Sequence, residues 1–149
     1  MLEIERKYLL QSIEWEKETI LSKSEIKQAY LFEDREKSVR IRVKNQGAFL
    51  TIKMGAGMTR YEFEYEIPKE DALQLIEVAK LKCLSKTRYE VQFSGETWEI
   101  DVFHGKYEGL ILAEIELEAE DHEFNLPPWI GSEVTGDPAY LNVELFKNL

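Results

Sequence analysis

Charged side chains recur at every second position in several short segments of this chain. Near the start, Glu3, Glu5 and Lys7 alternate with mainly apolar residues, and Arg40 and Arg42 alternate with valine and isoleucine. Successive side chains of a β-strand point to opposite faces, so each segment predicts a strand with one ionic face. Arginine binds phosphate oxygens through bidentate contacts, and carboxylates bind hard divalent cations. Together these residues could bind a phosphate chain and a metal ion.

The two signs of charge occupy different segments. The basic candidates are Lys7, Arg40, Arg42, Lys53, Lys86 and Arg88, and the acidic candidates are Glu3, Glu5, Glu62, Glu64, Asp101, Glu114 and Glu116. For a single strand, a solvated face is a sufficient explanation, because antiparallel sheets commonly have one wet face. For the whole set it is not, since neighbouring like charges on one face are unfavourable unless something binds there. A closed barrel with its charged faces inward accounts for both observations.

Alternation and turn residues predict the elements that must position these side chains. The expected strands cover residues 2–10, 24–32, 38–44, 48–54, 60–67, 84–93, 97–103 and 110–118. Helices are expected from about residue 68, at 140–147 and, as a short segment, within 12–22. Eight strands with tight turns favour an α+β fold that is mainly β, a closed eight-stranded antiparallel β-barrel with a few flanking helices.

Composition narrows the class of protein. A length of 149 residues predicts one domain, covering residues 1–149. The net charge of -10 argues against nucleic acid and against an anionic membrane surface as partners. The single cysteine, Cys83, allows no internal disulfide and suits a cytoplasmic location. There is no zinc-like Cys/His spacing and no P-loop.

The order of these motifs resembles a known family. Glu3-x-Glu5-x-Lys7 is similar to the ExExK signature of the CYTH family, the triphosphate tunnel metalloenzymes, and the remaining charged candidates follow in the family's order. The resemblance extends from Met1 to about Asn142, and the segments 28–31 and 113–117 look like the short bacterial branch. That branch often carries Arg after an Asp-Pro pair where this chain has Ala139, so a role for that Arg is not expected here.

The resemblance implies an eight-stranded tunnel that binds a linear triphosphate together with Mg²⁺ or Mn²⁺. Carried over to this sequence, the six basic candidates would bind phosphates, and the seven acids would hold one or two metals or orient water. The residues expected to take part in catalysis are Glu5, Lys7, Glu64 and Glu116.

Three functions stay open at this point. The leading interpretation is a metal-dependent hydrolase of inorganic triphosphate, and the second is a nucleoside triphosphatase or class IV-type adenylate cyclase in the same barrel. The third is a non-catalytic polyphosphate- or nucleotide-binding protein. A small-molecule triphosphate is the expected partner, and a homodimer is left open. Removing one acid from a crowded acidic cluster, such as Glu114 or Glu116, should leave the thermal stability without metal unchanged or raise it. Arg42→Ala should instead lower the stability without ligand.

Overall fold

The computed structural model describes residues 1–149, which form nine strands and two helices. The strands are β1 (Leu2–Leu10), β2 (Thr19–Glu33), β3 (Lys37–Lys44), β4 (Gly47–Met54), β5 (Thr59–Ile67), β6 (Leu84–Phe93), β7 (Glu96–Phe103), β8 (Ile111–Leu117) and β9 (Ile130–Glu133). The helices are α1 (Lys69–Val78) and α2 (Asn142–Lys147). None of the helices is long and apolar enough to cross a membrane.

The strands close into an antiparallel barrel. Their order is β5-β4-β3-β2-β6-β7-β8-β1, and β1 pairs back onto β5. That last pairing is short, running from Leu2 opposite Tyr61 to Ile4 opposite Thr59. β9 lies outside the eight-stranded barrel and pairs with the other end of β1, at Tyr8 and Leu10. The predicted mainly-β fold with a closed eight-stranded barrel is therefore confirmed.

Seven of the eight predicted strands match the observed bounds to within one residue. The exception is β2, which begins at Thr19, so the helix expected within residues 12–22 is only a 3-10 turn at Glu14–Lys17. The strand β9 was not predicted, because its four residues show no alternation of polar and apolar side chains. The tail helix is shorter than expected and follows a 3-10 turn at Pro138–Tyr140.

The main apolar core lies outside the barrel. The outer faces of β1, β6, β7 and β8 pack against Trp15, Phe124 and Trp129 from the connecting segments. Trp98 is fully buried at the centre of this cluster, with its ring 5.6 Å from Tyr8 and 5.9 Å from Trp129. A smaller cluster forms where α1 covers part of β3 and β4, around Ala72. Since the outer faces bury the apolar residues, the charged faces are left to line the interior.

One end of the barrel interior is closed by apolar side chains. Leu84, Phe103 and Leu112 lie on the lumen-facing side of β6, β7 and β8, and they pack with Leu145 of α2. Each of these strands carries its charged lumen residues further along the same face. The interior is therefore a charged cavity that is closed at one end by this apolar layer, which we call the apolar floor. The C-terminal segment packs against that layer.

Candidate active site

The barrel encloses a strongly polar cavity of about 210 Å³. Of its 19 lining residues, three are hydrophobic. Eleven of the predicted site residues line it, namely Glu3, Glu5, Lys7, Arg40, Arg42, Lys53, Glu62, Glu64, Arg88, Glu114 and Glu116. Lys86 and Asp101 do not. Closure of the barrel thus brings together side chains that are far apart in the sequence.

Apart from Lys7 on β1 and Arg60 on β5, the two signs of charge occupy two halves of the barrel wall. The basic candidates Arg40, Lys53 and Arg88 belong to β3, β4 and β6, which are neighbours apart from the intervening β2. The acidic candidates belong to β7, β8, β1 and β5, which are consecutive around the barrel. Salt bridges join the halves where they meet: Lys53 lies 3.3 Å from Glu62, and Arg88 lies 2.8 Å from Glu99. Away from these seams, each half keeps a surplus of its own charge.

The surplus on the basic half is clearest at Arg42. Its Nε and Nη2 both donate to the Gln28 Oε1, which is a neutral partner, at 2.9 and 2.7 Å. Burial, together with the cations Arg40 and Arg88, lowers the pKa of Arg42 to about 9. An anion that enters the cavity would therefore stabilise the charged form of the Arg42 guanidinium.

The surplus on the acidic half is clearest where β1, β7 and β8 meet. One carboxylate oxygen from each of Glu5, Glu99 and Glu114 lies within 4.8 Å of the other two. Burial and the charge of Glu114 raise the pKa of Glu5 from 4.5 to about 8. Although burial opposes it, Lys7 and Arg88 hold the pKa of Glu114 well below its usual range. The two neighbouring carboxyls therefore differ in pKa, and Glu5 is the more readily protonated of the pair.

The pKa values of other carboxyl groups on this half also differ from their ordinary values. Burial and the neighbouring Glu3 raise the pKa of Glu116. Burial also raises the pKa of Glu62, which shares a hydrogen bond with Glu3. Glu3 itself differs, because the Lys53 ammonium, 2.9 Å away, overcomes the effect of burial and lowers the pKa of Glu3 to about 2. The acidic half thus contains some paired carboxylates and some that repel each other.

Asp101 and Lys86 lie deeper than the sequence suggested. Both side chains are fully buried beside the apolar floor, and their charged atoms lie 2.7 Å apart. Asp101 also accepts from Arg88 at both oxygens, at 2.7 and 2.8 Å. Against the effect of burial, Arg88 and Lys86 lower the pKa of Asp101 to about 2. In this structure Asp101 is paired with Lys86 and Arg88, and the expected roles of Asp101 in metal binding and Lys86 in phosphate binding stay predictions.

The C-terminal segment contacts the deep end of the site. Asn142 Oδ1 accepts from Lys86 Nζ at 3.0 Å and from Gln28 Nε2 at 3.2 Å. Lys7 Nζ donates to the backbone carbonyl of Tyr140 at 3.1 Å and lies 3.4 Å from Glu114. Residues 141–143 line the cavity. The segment after residue 137 is therefore part of the site wall.

Several lining residues were not among the predicted site residues. They are Tyr30, Ser38, Lys44, Arg60, Glu99, Leu141, Asn142 and Val143. Glu99 shares a strand face with Asp101, and Arg60 shares one with Glu62, so the alternation rule applied to whole strands would have included both. No such signal pointed to Asn142, because it lies in the C-terminal segment, where the sequence shows no strand-like alternation.

A closed antiparallel barrel with a cationic half and an acidic half around a small cavity defines a tunnel-type site for a polyanion with a divalent cation. A family model described as the CYTH domain matches residues 1–141. The chain belongs to the CYTH domain family.

Two proteins of known name are similar over nearly the whole chain. The inorganic triphosphatase of Acetivibrio thermocellus is 46% identical over 149 residues, covering 98% of this chain and 94% of that protein. The inorganic triphosphatase of Nitrosomonas europaea is 35% identical over 150 residues, covering 97% of each. The crystal structure of the inorganic triphosphatase NE1496 superposes with a TM-score of 0.70 at 32% identity, covering 97% of this chain and 93% of that one.

Proposed function

We propose that this CYTH protein is a hydrolase that cleaves inorganic triphosphate in its barrel, with Mg²⁺ or Mn²⁺ as cofactor. The observation that carries the proposal is the separation of charge inside the cavity. Arg42 lacks an anionic partner on one half, and Glu5 carries a raised pKa on the other. A triphosphate with its metal ion supplies both missing charges at once.

The acidic half fits a divalent cation. Glu5, Glu99 and Glu114 offer three oxygens in one cluster, and the buried Oε1 atom of Glu114 makes no hydrogen bond, with the Lys7 ammonium 3.4 Å away. Oxygen-only donors suit Mg²⁺ and Mn²⁺. We propose that Glu5, Glu99 and Glu114 hold the cation. When bound, the cation would neutralise phosphate charge and lower the pKa of a water.

The basic half would hold the substrate. We propose that Arg40, Arg42, Lys53 and Arg88 bind phosphate oxygens, joined by Lys7 across the cavity. Lys86 and Asp101 would act one step away, by fixing the guanidinium of Arg88 through the ion pair on the floor. The remaining acids, Glu3, Glu62, Glu64 and Glu116, would hold a second cation or orient the attacking water.

The cavity favours a bare triphosphate over a nucleotide. Its three hydrophobic lining residues, Tyr30, Leu141 and Val143, form no wide apolar surface for a base. The ring of Tyr30 already packs against Phe146, 5.4 Å away. We propose a single functional unit over residues 1–149, working in the cytoplasm, where the lone Cys83 stays reduced.

A phosphate-release assay over triphosphate, ATP and thiamine triphosphate tests the substrate. We expect the highest kcat/KM for inorganic triphosphate, because ATP and thiamine triphosphate each carry a bulky organic group and inorganic triphosphate does not. A higher kcat/KM for ATP would favour the nucleotide interpretation. Binding of triphosphate without release of phosphate, under every metal condition, would favour a sensor.

Removing divalent metal should stop the reaction. With excess chelator, we expect turnover to fall to background, because Glu5, Glu99 and Glu114 then repel each other and no cation neutralises the phosphates. Adding Mg²⁺ or Mn²⁺ beyond the chelator should restore it. Full turnover of triphosphate in excess chelator would contradict the metal role.

A further inference from the structure

One buried amide side chain lies behind the basic half of the barrel wall. Gln28 belongs to β2, between the basic strands β3 and β6, and its side chain is fully buried. Burial of an amide is unfavourable unless its polar atoms are hydrogen-bonded inside the protein. Both polar atoms of Gln28 have such partners. The function proposed above gives this residue no part, so the reason for a buried amide at this position lies in what it holds.

The Gln28 amide is oriented from both sides. Its Oε1 atom faces Arg42 and accepts from both Nε and Nη2. Its Nε2 atom donates to Asn142 Oδ1, and that oxygen also accepts from the ammonium of Lys86. Because an ammonium group can only donate, Lys86 holds the oxygen of the Asn142 amide on its side. A reversed Gln28 amide would place donor against donor at Arg42, so a single orientation satisfies the network.

This contact holds one edge of the Arg42 guanidinium and leaves the rest free. A guanidinium has five N–H groups, and Gln28 receives two of them, which leaves three. Arg42 lines the cavity and has no carboxylate partner, so these three N–H groups remain for an anion that enters. Their planar arrangement suits the oxygens of a phosphate group.

The partner of Arg42 is neutral, whereas carboxylates hold Arg88. Arg88 Nε donates to Asp101 Oδ1 at 2.7 Å, and Arg88 Nη1 donates to Glu99 Oε2 at 2.8 Å. Those ion pairs fix the guanidinium of Arg88 and also compensate its positive charge. An amide oxygen fixes a guanidinium without adding a negative charge, so the charge of Arg42 stays available to a ligand. A donor that is already ordered also loses less side-chain entropy when the ligand binds.

We propose that Gln28 is a positioning residue for triphosphate, which orients Arg42 in the cavity wall without neutralising it. The proposal rests on the function proposed above. Gln28 does not line the cavity, so its effect on the substrate passes through Arg42. A contact that the substrate keeps from the ground state to the transition state changes KM and leaves kcat unchanged. The effect of Gln28 is therefore expected in KM.

Two substitutions of similar size separate orientation from charge. Gln28→Met removes the acceptor, so Arg42 loses its fixed orientation, and KM for triphosphate should rise about tenfold with kcat near the wild-type value. Gln28→Glu keeps the acceptor but pairs Arg42 with a carboxylate, so KM should rise by more than tenfold. Gln92→Glu is the matched control, because Gln92 is exposed on β6 and does not line the cavity. It should keep the wild-type KM, and a wild-type KM in Gln28→Glu would overturn the proposal.

A double-mutant cycle with Arg42→Gln tests whether the effect passes through Arg42. Adding Gln28→Met to Arg42→Gln should then change KM by no more than about twofold. A rise by the same factor as in the wild-type background would overturn the proposal, since Gln28 would act on the fold at large. Melting curves show whether each variant is folded.

Calorimetric titration with triphosphate in chelator measures the same coupling without turnover. A chain that binds triphosphate but does not hydrolyse it with metal would contradict the proposed function alone, because the coupling between Gln28 and Arg42 could still be read from binding. A chain that hydrolyses triphosphate while the effects of the two substitutions are additive would contradict the role of Gln28 alone.

Discussion

Glu5→Gln should abolish triphosphate turnover while leaving the barrel at least as stable as before. Glutamine keeps the shape of the side chain but cannot serve as a carboxylate ligand in the cluster with Glu99 and Glu114. By analogy with the loss of one preorganised electrostatic group, kcat should fall by about 10²–10³-fold or more. Steady-state phosphate release at saturating Mg²⁺ measures this.

The stability half of this prediction follows from the pKa of Glu5. The folded protein keeps a proton on Glu5 up to pH of about 8, whereas the unfolded chain releases it near 4.5. The native state therefore loses stability as pH rises through this window, and the variant does not. In chelator at pH 7 we expect the free energy of unfolding of Glu5→Gln to exceed that of the wild type by roughly 1–3 kcal/mol. Each kcal/mol corresponds to ~2–4 °C in melting temperature.

Glu66→Gln is the matched control, because Glu66 lies on the lumen-facing side of β5 but does not line the cavity. It should keep its turnover and its melting temperature. Wild-type turnover in Glu5→Gln, at saturating metal, would remove Glu5 from the metal site. A lower melting temperature than the wild type in chelator would show that Glu5 is an ordinary structural carboxylate.

Arg88→Gln and Arg42→Gln should have opposite consequences for stability although both lose a cation from the same cavity. Arg88 pairs with Asp101, Glu99 and Glu114, and Asp101 is fully buried. Removing one partner of a buried pair costs about 3–5 kcal/mol, so the melting temperature of Arg88→Gln should drop by roughly 10 °C. Turnover should be lost with it.

Arg42→Gln should keep or gain stability without ligand, because burial and the nearby cations already disfavour the charge of Arg42. Its KM for triphosphate should rise about tenfold or more, as expected for a lost charge-assisted hydrogen bond. Melting curves with and without triphosphate, together with KM, separate the two variants. Equal destabilisation by both would mean that the basic half is structural.

These results would reverse two expectations drawn from sequence. The chain alone predicted that removing Arg42 destabilises and that removing Glu114 does not. In the structure Arg42 has only the neutral Gln28 as partner, whereas Glu114 lies near Lys7 and Arg88 and has a strongly lowered pKa. Glu114→Ala should therefore lower stability. Charge type was readable from the sequence, but the partner of each charge was not.

Alternation identified which side chains face the interior, because the period of a strand is two whatever its neighbours are. It therefore predicted the eight strands and most of the cavity lining. Strand order is a long-range property, so the gathering of β7, β8, β1 and β5 into one acidic half could not be derived. Depth along the barrel was hidden as well, which is why Lys86 and Arg88 were given the same role although only Arg88 lines the cavity. Asn142 and β9 carry no periodic signal at all.

The position of β1 in the barrel has a consequence for how the protein folds. β1 precedes the other strands in the sequence but pairs with β8, β5 and β9, and Lys7 N donates to Thr135 Oγ1 across 128 residues. Contacts this remote in sequence slow folding, typically to milliseconds or seconds. Glu5 and Glu114 can meet only when β8 has left the ribosome. Until then the edges of β5 and β8 stay unpaired, so slower synthesis and cooler expression should reduce aggregation.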